Sequence, residues 1–432
     1  MVLSHFSIRR LLVASLKVGA TGFGGGSALI PVMHREYVQR HKLLGEDVFT
    51  AHTVVANITP GALPVKLAAL AGTQSRRIWA SLVAACAVAL PGALATVLLL
   101  ALFTAIGPSA IRVVEFMAVG ISVFIMVLLL HYISKVLHAS RPMVAVPIIL
   151  AAFLATGTNQ LVRAAGTLVG AHWAAAVPQL SAVQLVLVAL AGAAVFSLLP
   201  WGRGHLATAD VTPGRTLAPA ALFAGVALAV LGLGFVLGHG HFLSLIGFST
   251  VTSFGGGEAY VGVADGFFVA TGTVSSAEFY GQAVPIANAL PGPILVKIAS
   301  ALGYSYGTAS GGWGVGVLLA GLAFLLSIAA CSAVALLFMA GYDKASRSAF
   351  VRNLGQVILP VICGLLISTM LSMLNASMEI AERAAVSPAT VGWVSLAGVA
   401  ALWVVHRSGR LPDLVLLAIA GGVSLGALLL VA

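Results

Sequence analysis

Charged side chains are scarce in this sequence of 432 residues. Asp, Glu, Lys and Arg together make up 8% of the chain, against roughly 25% in a soluble globular domain. Hydrophobic residues make up 60%. Such a chain has too little polar surface to face water on all sides, so its solvent must be lipid. This composition excludes a soluble enzyme, a disordered protein and a nucleic-acid reader.

Acidic residues and cysteines are the scarcest of the reactive side chains. There are 12 Asp and Glu against 22 Lys and Arg, which gives a formal net charge of +10. The basic residues lie in short clusters at the ends of apolar runs, as expected for cytoplasmic loops of a multi-pass protein in the inner (plasma) membrane. The three cysteines lie inside apolar runs and form no Cys-x-x-Cys pair. We therefore expect no disulfide framework, no metal site and no cofactor.

The sequence contains an internal repeat. The motif Phe-Gly-Gly-Gly at 23–26 recurs at 254–257, and Asn-x-x-Pro-Gly at 57–61 recurs at 288–292. Lys66 recurs as Lys297. All three pairs share an offset of 231 residues, which chance similarity between Ala- and Leu-rich segments would not produce. We interpret this as a duplication.

Each copy begins with a module of two apolar stretches. The N-terminal half is predicted over 1–210 with its module at 8–72, and the C-terminal half over 240–432 with its module at 242–303. A linker helix is predicted over 217–238. Further spans are predicted near 78–103, 112–130, 143–162, 180–200, 313–340, 352–374, 389–406 and 411–431. These sum to an all-α polytopic membrane protein with about 13 apolar segments.

The two halves are predicted to have inverted topology. Six segments return the chain to its starting side, so the one linker helix would insert the second half upside down. Lys and Arg cluster around the first module, are missing from the corresponding flanks of the second, and reappear at Lys344, Arg347 and Arg352. Inverted repeats are a recurrent architecture of secondary transporters. A parallel duplication with drifting charges is the alternative.

Proline and glycine interrupt both stretches of each module. These residues break the helical hydrogen-bond ladder, and in lipid the freed backbone groups must find partners in protein or in a wet cavity. Four breaks matched in pairs predict discontinuous or re-entrant helices that meet at a binding site. The candidate glycines and prolines are Gly24, Gly25, Gly26, Pro60, Gly61, Gly255, Gly256, Gly257, Pro291 and Gly292. The alternative for the triple glycines is close helix packing.

Lys66 and Lys297 are the sharpest candidates for substrate binding. Each follows the proline by six residues inside an apolar stretch, where a charge is costly to insert. Asn57 and Asn288 add amide donors nearby, so the predicted site consists of donors and positive charges, which suits an anion. Snorkelling of the lysines to the membrane interface is the alternative.

Glu258 breaks the symmetry between the copies. It follows the second triple glycine, where the first copy has Ser27. A carboxylate beside a helix break in the membrane is a candidate proton carrier. A rim carboxylate or a partner of a lysine is the alternative.

These motifs resemble those of the chromate ion transporter family in its two-domain form. The resemblance rests on Gly19 through Gly26, Pro60-Gly61 and Gly72, and on Phe254 through Gly257, Pro291-Gly292-Pro293 and Gly303. The chain differs from the usual family pattern at Ala62 and at the two lysines, where the family tends to have Pro and Gln or Asn. The resemblance implies an exporter of chromate driven by protons or by the membrane potential.

We therefore expect a secondary active transporter, an exporter of a small oxyanion such as chromate, and no enzyme. Its expected partners are the anion and the lipid bilayer, with a homodimer as a further assembly to consider and no nucleic acid. A transporter of another small anion, an integral membrane enzyme and a channel or structural membrane protein are the alternatives.

The inversion predicts where an impermeant thiol reagent can react. Single cysteines introduced near position 40 and near position 270 should be labelled from opposite sides of the membrane, because inverted copies place these equivalent connections on opposite faces. Labelling of both from the same side would refute the inversion.

Overall fold

A computed structural model describes residues 7–22, 29–75, 77–171, 216–254, 257–341 and 349–431, with scattered positions between 173 and 192. Within these ranges the chain is helical throughout and contains no strand. The absence of strands follows from the long apolar runs, because a helix satisfies its backbone groups within one segment and lipid offers no other partner.

The first module consists of short helices separated by breaks. Helix α1 (Ile8–Thr21) and helix α2 (Leu29–His34) flank the first triple glycine, and α2 continues into a π-helical turn, Arg35–Arg40. Helices α3 (Glu46–Ile58) and α4 (Leu63–Gly72) flank Pro60-Gly61. The predicted discontinuous helices are thus present, at the residues where Pro and Gly interrupt the ladder.

The long helices of the first half follow, and then the linker helix. They are α5 (Trp79–Ile106), α6 (Pro108–Ala139), α7 (Pro142–Leu168) and α8 (Leu217–Val236). Helix α8 lies at the predicted linker position. The predicted span near 180–200 falls largely outside the described residues.

The second module has the same pattern of breaks. Helices α9 (Gly240–Thr252) and α10 (Gly257–Ala264) flank the second triple glycine, and α10 continues into the π-helical turn Asp265–Val269. The segment up to Pro291-Gly292 contains α11 (Ser276–Glu278), the π-helical turn Phe279–Ala283 and α12 (Val284–Ala289). The remaining helices are α13 (Ile294–Ala340), α14 (Ala349–Arg383), α15 (Pro388–Arg407) and α16 (Asp413–Val431).

Eight helices among the described residues are long and apolar enough to cross a membrane. They include α5 to α8 and α13 to α16. Together with the two sets of short helices they give an all-α polytopic membrane protein, as predicted. The predicted total of about 13 segments is not confirmed, because part of the chain lies outside the described residues.

The longest element, α13, is a helical hairpin. Gly311 and Gly312 depart from helical geometry, and Gly312 has φ +81°. The two arms are antiparallel and in close contact, since a Cβ at Gly303 would lie 2.5 Å from the carbonyl oxygen of Leu319. Helices α4 and α5 form the corresponding hairpin of the first half, where a Cβ at Gly72 would lie 2.4 Å from Cα of Ser81. Glycine at these two positions lets the backbones touch.

The chain divides into two compact units, and each draws on both halves of the sequence. Unit 1 comprises 1–97, 190–260 and 290–358, and unit 2 comprises 98–189, 261–289 and 359–432. Within unit 1, α8 and α9 pack along α13. Within unit 2, α15 and α16 pack along α6. The division of the sequence at 210 and 240 stays a prediction about the repeat.

Replacing Gly303 tests the close contact within the α13 hairpin. Gly303→Ala should lower the thermal stability of the detergent-solubilised chain by about 1–3 kcal/mol, the scale of overpacking a tight contact, because the backbone carbonyl of Leu319 cannot move aside. Gly321→Ala is the matched control on the same hairpin, since a Cβ there has no atom within 4 Å. Equal stability of the two variants, followed by thermal unfolding on size-exclusion chromatography, would contradict this packing.

Candidate functional site

Both Pro-Gly motifs form tight turns between two half-helices. Gly61 has φ +99° and Gly292 has φ +97°, a region that only glycine enters without strain. In each copy the chain then enters the following half-helix, α4 or α13, with the residue after the Pro-Gly as N-cap. The two copies therefore share the same local geometry as well as the same sequence motif.

The turn of each copy is hydrogen-bonded to the other copy. The Gly61 N–H donates to the carbonyl of Ser253 at 2.6 Å, and the Gly292 N–H donates to the carbonyl of Gly22 at 2.8 Å. Ser253 and Gly22 are equivalent under the repeat, and each lies directly before a triple-glycine motif. The two bonds thus form a reciprocal pair, which requires an approximate two-fold relation between the modules within unit 1.

The same turns contact the centre of the other copy's long helix. A Cβ at Gly92 would lie 2.2 Å from the carbonyl oxygen of Pro291, and a Cβ at Gly61 would lie 2.1 Å from Cβ of Cys331. Gly92 is at the middle of α5, which is long enough to cross the hydrocarbon core. By this length argument the turn at Pro291-Gly292 lies against the middle of a helix that can cross the membrane.

Lys66 and Lys297 are buried beside these turns. Each side chain is 1% exposed. The Lys66 ammonium donates to the carbonyl of Thr59 at 2.5 Å, and the Lys297 ammonium donates to the carbonyl of Leu290. Both acceptors lie seven residues earlier, at the break itself, so each lysine satisfies a carbonyl that the break releases. Neither lysine reaches the surface of the chain, contrary to the snorkelling alternative.

The two asparagines are positioned alike but face different surroundings. Asn57 donates through Nδ2 to the carbonyl of Thr53 at 2.8 Å, and Asn288 donates to the carbonyl of Val284 at 2.9 Å. Asn57 is exposed and Asn288 is partly buried. These bonds stabilise the last turn of the half-helix before each break. The proposed contact of the asparagines with an anion stays a prediction.

Polar side chains that the sequence did not identify hold the first glycine break together. Ser15 before the break and Tyr37 after it are hydrogen-bonded at 2.7 Å. The Lys17 ammonium lies 2.9 Å from the carboxylate of Glu36, which is fully buried. Arg40 and His41 also lie within 3.6 Å of this carboxylate. These contacts fix the ends of the two helices that the triple glycine separates.

At the second glycine break a longer hydrogen bond joins the two flanking helices, and a nearby serine hydroxyl is unpaired among the described residues. Ser249 and Tyr260 lie on opposite sides of it, with their hydroxyls 3.2 Å apart. The hydroxyl of Ser253 is buried and has no hydrogen-bond partner among the described residues. Because Ser253 is also the residue that accepts from Gly61, its unused donor lies beside the turn of the first copy. This hydroxyl could not be predicted from the repeat, since the equivalent residue of the other copy is Gly22.

Some predicted site residues cannot be placed. Gly24, Gly25, Gly26, Gly255 and Gly256 lie outside the described residues, and so does the side chain of Glu258. Gly257 is the first residue of α10. Of the predicted set, the structure places both Pro-Gly turns within unit 1 and each lysine beside the turn of its own copy.

This arrangement combines two buried ammonium groups with backbone and hydroxyl donors. Among the described residues the hydrogen bonds of each lysine use one of its three N–H donors. Such a set stabilises negative charge and offers few acceptors to a cation. The fold and site define a multi-pass membrane protein of the plasma membrane with paired discontinuous helices, a design found in secondary transporters.

The family is shown by a match that covers both halves. The sequence model described as chromate transporter matches residues 9–197 and 241–427. The chain therefore belongs to the chromate transporter family. The two matched regions also establish that the chain consists of two homologous halves, as the offset of 231 residues predicts.

The curated relatives match in shorter stretches. The uncharacterized transporter YwrB of Bacillus subtilis (strain 168) is 35% identical over 103 residues, which cover 24% of this chain and 52% of the relative. The uncharacterized transporter YwrA of the same strain is 37% identical over 90 residues, 21% of this chain and 51% of that relative.

A probable chromate transport protein of Synechococcus elongatus is 36% identical over 62 residues, 14% of this chain and 16% of that protein. The chain spans about half the length of the first two relatives. No solved structure matches it.

The ion pair between Lys17 and Glu36 predicts that the stability of the folded chain depends on pH. Burial alone would raise the pKa of Glu36, but the neighbouring Lys17, Arg40 and His41 outweigh it and lower the pKa below its ordinary 4.5. The contribution of Glu36 to stability is therefore complete above pH 4.5 and is lost as the pH falls through the lowered value.

Glu36→Gln should lower stability by about 1–3 kcal/mol at neutral pH, the scale of a hydrogen bond between charged groups. The difference from the original chain should shrink as the pH drops below 4.5, as measured by thermal unfolding over a pH series. A difference that is independent of pH would contradict the ion-pair role.

Proposed function

We propose that the chain is a secondary active transporter of a small anion, with a substrate site built around the Pro-Gly turns of unit 1. The single observation that carries this proposal is the reciprocal pair of hydrogen bonds, in which each turn binds the residue before the other copy's Phe-Gly-Gly-Gly motif. In secondary transporters that open alternately to each side of the membrane, the substrate site commonly lies where the broken helices of two equivalent repeats come together.

The charge of this site supports an anion as the substrate. Lys66 and Lys297 are buried without an acidic residue in the surrounding sequence, since 59–73 and 290–304 contain no Asp or Glu. Two positive charges match a dianion such as chromate or sulfate, whose oxygens accept several N–H donors at once. Family membership supports an anion, and the name of the Synechococcus relative supports chromate.

Export and coupling to protons or to the membrane potential belong to the same proposal. An exporter must release an anion against the gradient, so a source of energy is needed. Glu258, beside the second glycine break, is the proton carrier indicated by the sequence. An integral membrane enzyme and a channel remain as alternatives. Anion flux in proteoliposomes that responds to an imposed pH gradient separates a coupled transporter from both.

Neutralising the lysines tests the anion site. Lys66→Gln and Lys297→Gln should each weaken chromate binding by about 1–3 kcal/mol, the scale of a hydrogen bond to a charged group. The double variant should not show the sum of the two effects, because both side chains contact one ligand. Binding is measured by isothermal titration with chromate on the purified chain.

Two controls separate binding from stability, because each lysine also satisfies a backbone carbonyl. Lys135, which is exposed on α6, gives the matched variant Lys135→Gln with unchanged affinity. Lys66→Arg keeps the charge and should retain most of the affinity. If both Gln variants are folded and bind chromate as tightly as the original chain, the lysines serve the helix breaks alone and the site lies elsewhere.

Glu258→Gln tests the sequence-derived proton carrier. The variant should lose the response of chromate transport to an imposed pH gradient, because a glutamine cannot exchange a proton in this range. Transport is followed in proteoliposomes with and without the gradient. An undiminished response would exclude Glu258 from coupling.

A further inference from the structure

A second polar cluster lies in unit 2, and it contains none of the residues assigned to the anion site. Its centre is Asp265, the first residue of the π-helical turn that continues α10. The carboxylate is partly buried and interacts with the hydroxyls of Tyr280 and Ser372. Three separate elements therefore supply this cluster: two π-helical turns and the long helix α14.

The hydroxyls of this cluster have unused hydrogen-bonding capacity. Tyr280 is 1% exposed and Ser372 is 6% exposed. Neither hydroxyl makes a hydrogen bond of full geometry among the described residues. Unsatisfied buried polar atoms of this kind indicate a water, an ion or a mobile proton that uses them.

Ser372 belongs to a polar stripe along α14, which we define as Ser368, Ser372, Asn375 and Glu379. Their spacing of four, three and four residues places them on one face of the helix. Ser368, Ser372 and Asn375 are each less than one-tenth exposed. A polar face on a helix long and apolar enough to cross a membrane is expensive to insert and marks an ion or proton path.

Helix α7 completes the polar stripe. Thr156 is 2.9 Å from the hydroxyl of Ser368, and Asn375 donates to the side-chain oxygen of Gln160 at 3.2 Å. The side-chain oxygen of Asn375 has no partner among the described residues. Arg163 donates to Glu379 at 2.6 Å, and its side chain is 59% exposed. The stripe therefore runs from the buried Asp265 cluster to a charged pair at the surface of unit 2.

Among the residues that the structure describes, no cation forms an ion pair with the carboxylate of Asp265. The two side chains that interact with its carboxylate are hydroxyls. Glu115 of α6 lies close to Gly281, the residue after Tyr280, but it is paired with Arg383 at 3.3 Å. Arg163 is likewise paired with Glu379. A carboxylate without a counter-ion in this setting is stable when it holds a proton and can release it where water enters.

We propose that Asp265 is a further proton-carrying group of this transporter, in series with the candidate Glu258, and that the polar stripe of α14 connects it to one face of the membrane. Ser372 lies beside Asp265, and Glu379 lies seven residues, about 10 Å of helix, further along. The proton binds to and leaves a carboxylate oxygen, and only O–H bonds form and break. This inference rests on the proposed function in one respect, namely that proton movement is coupled to the anion.

The position of Asp265 along the chain links it to the anion site. Helix α10 begins at Gly257, directly after the second glycine break, and continues without interruption into the turn that starts at Asp265. Protonation of Asp265 removes a negative charge at the C-terminal end of this helix. The N-terminal end of the same helix adjoins the second glycine break. The equivalent residue of the first copy is His34, which pairs with Glu46 at 2.8 Å, so the two copies differ at this point.

Asp265→Asn in the full-length chain tests the proposal in proteoliposomes. Exchange of chromate for chromate without any gradient moves no net proton and should stay within about twofold of the original chain. Stimulation of chromate transport by a pH gradient, and proton flux driven by a chromate gradient, should be lost.

Two control variants accompany this test. Asp265→Glu should keep the stimulation by a pH gradient and the proton flux. Asp413→Asn should match the original chain, since Asp413 is paired with His406 at 3.1 Å outside this cluster. Retained proton flux in Asp265→Asn would overturn the proposal.

A second measurement does not depend on chromate transport. Infrared difference spectra over a pH titration should contain a protonated-carboxyl band that Asp265→Asn lacks. If the original chain moves no chromate but shows this band, the proposed function fails and the proton site stands. A band that persists in the folded Asp265→Asn chain would overturn the site.

Tyr280→Phe keeps the carboxylate and removes one hydroxyl donor. It should shift the midpoint of the infrared titration to higher pH, because the hydroxyl beside the carboxylate favours its charged form. An unchanged midpoint would overturn the contact between Tyr280 and Asp265.

A sodium test separates a proton from a metal cation at this cluster. If sodium stimulates chromate transport at constant pH and Asp265→Asn abolishes that stimulation, the proposal is overturned, because the cluster would bind a metal cation in place of a proton.

Discussion

The structure depends on one constraint: backbone groups released inside a bilayer must be satisfied by the protein. Each module releases such groups at its Pro-Gly turn. The turns meet this demand by exchange, because the amide of Gly61 donates to the carbonyl of Ser253 and that of Gly292 donates to the carbonyl of Gly22. Each turn thus takes a partner from the other copy, so the two copies stabilise each other within unit 1.

The lysines illustrate how one residue meets two demands. Lys66 and Lys297 each donate to a carbonyl that the break exposes, and each carries a charge into an apolar layer. Each lysine therefore serves the break and also keeps a positive charge beside it, and that charge is the property that the proposed anion would use.

Much of this could be predicted from the sequence, and the limits have physical reasons. The repeat, the four breaks and the all-α fold follow from residues whose backbone effects are strong and local, namely glycine, proline and long apolar runs. The residues that accept hydrogen bonds from the two Pro-Gly turns could not be predicted. These residues, Gly22 and Ser253, act through their backbone carbonyls and share no side-chain property. Asp265 was missed for another reason: it ends an apolar run, where a single acid resembles an ordinary loop residue, and only the fold brings Tyr280 and Ser372 to it.

The asymmetry between the copies has a functional logic. The anion site that we propose uses equivalent residues from both modules, because a site on a two-fold axis presents similar groups to either side. A proton carrier has no such requirement. Two members of the Asp265 cluster accordingly differ between the copies, since the residues equivalent to Asp265 and Tyr280 are His34 and Phe49. A coupled transporter built from a duplicated module can therefore bind its substrate with residues that the two copies share and carry its proton on residues that differ between them.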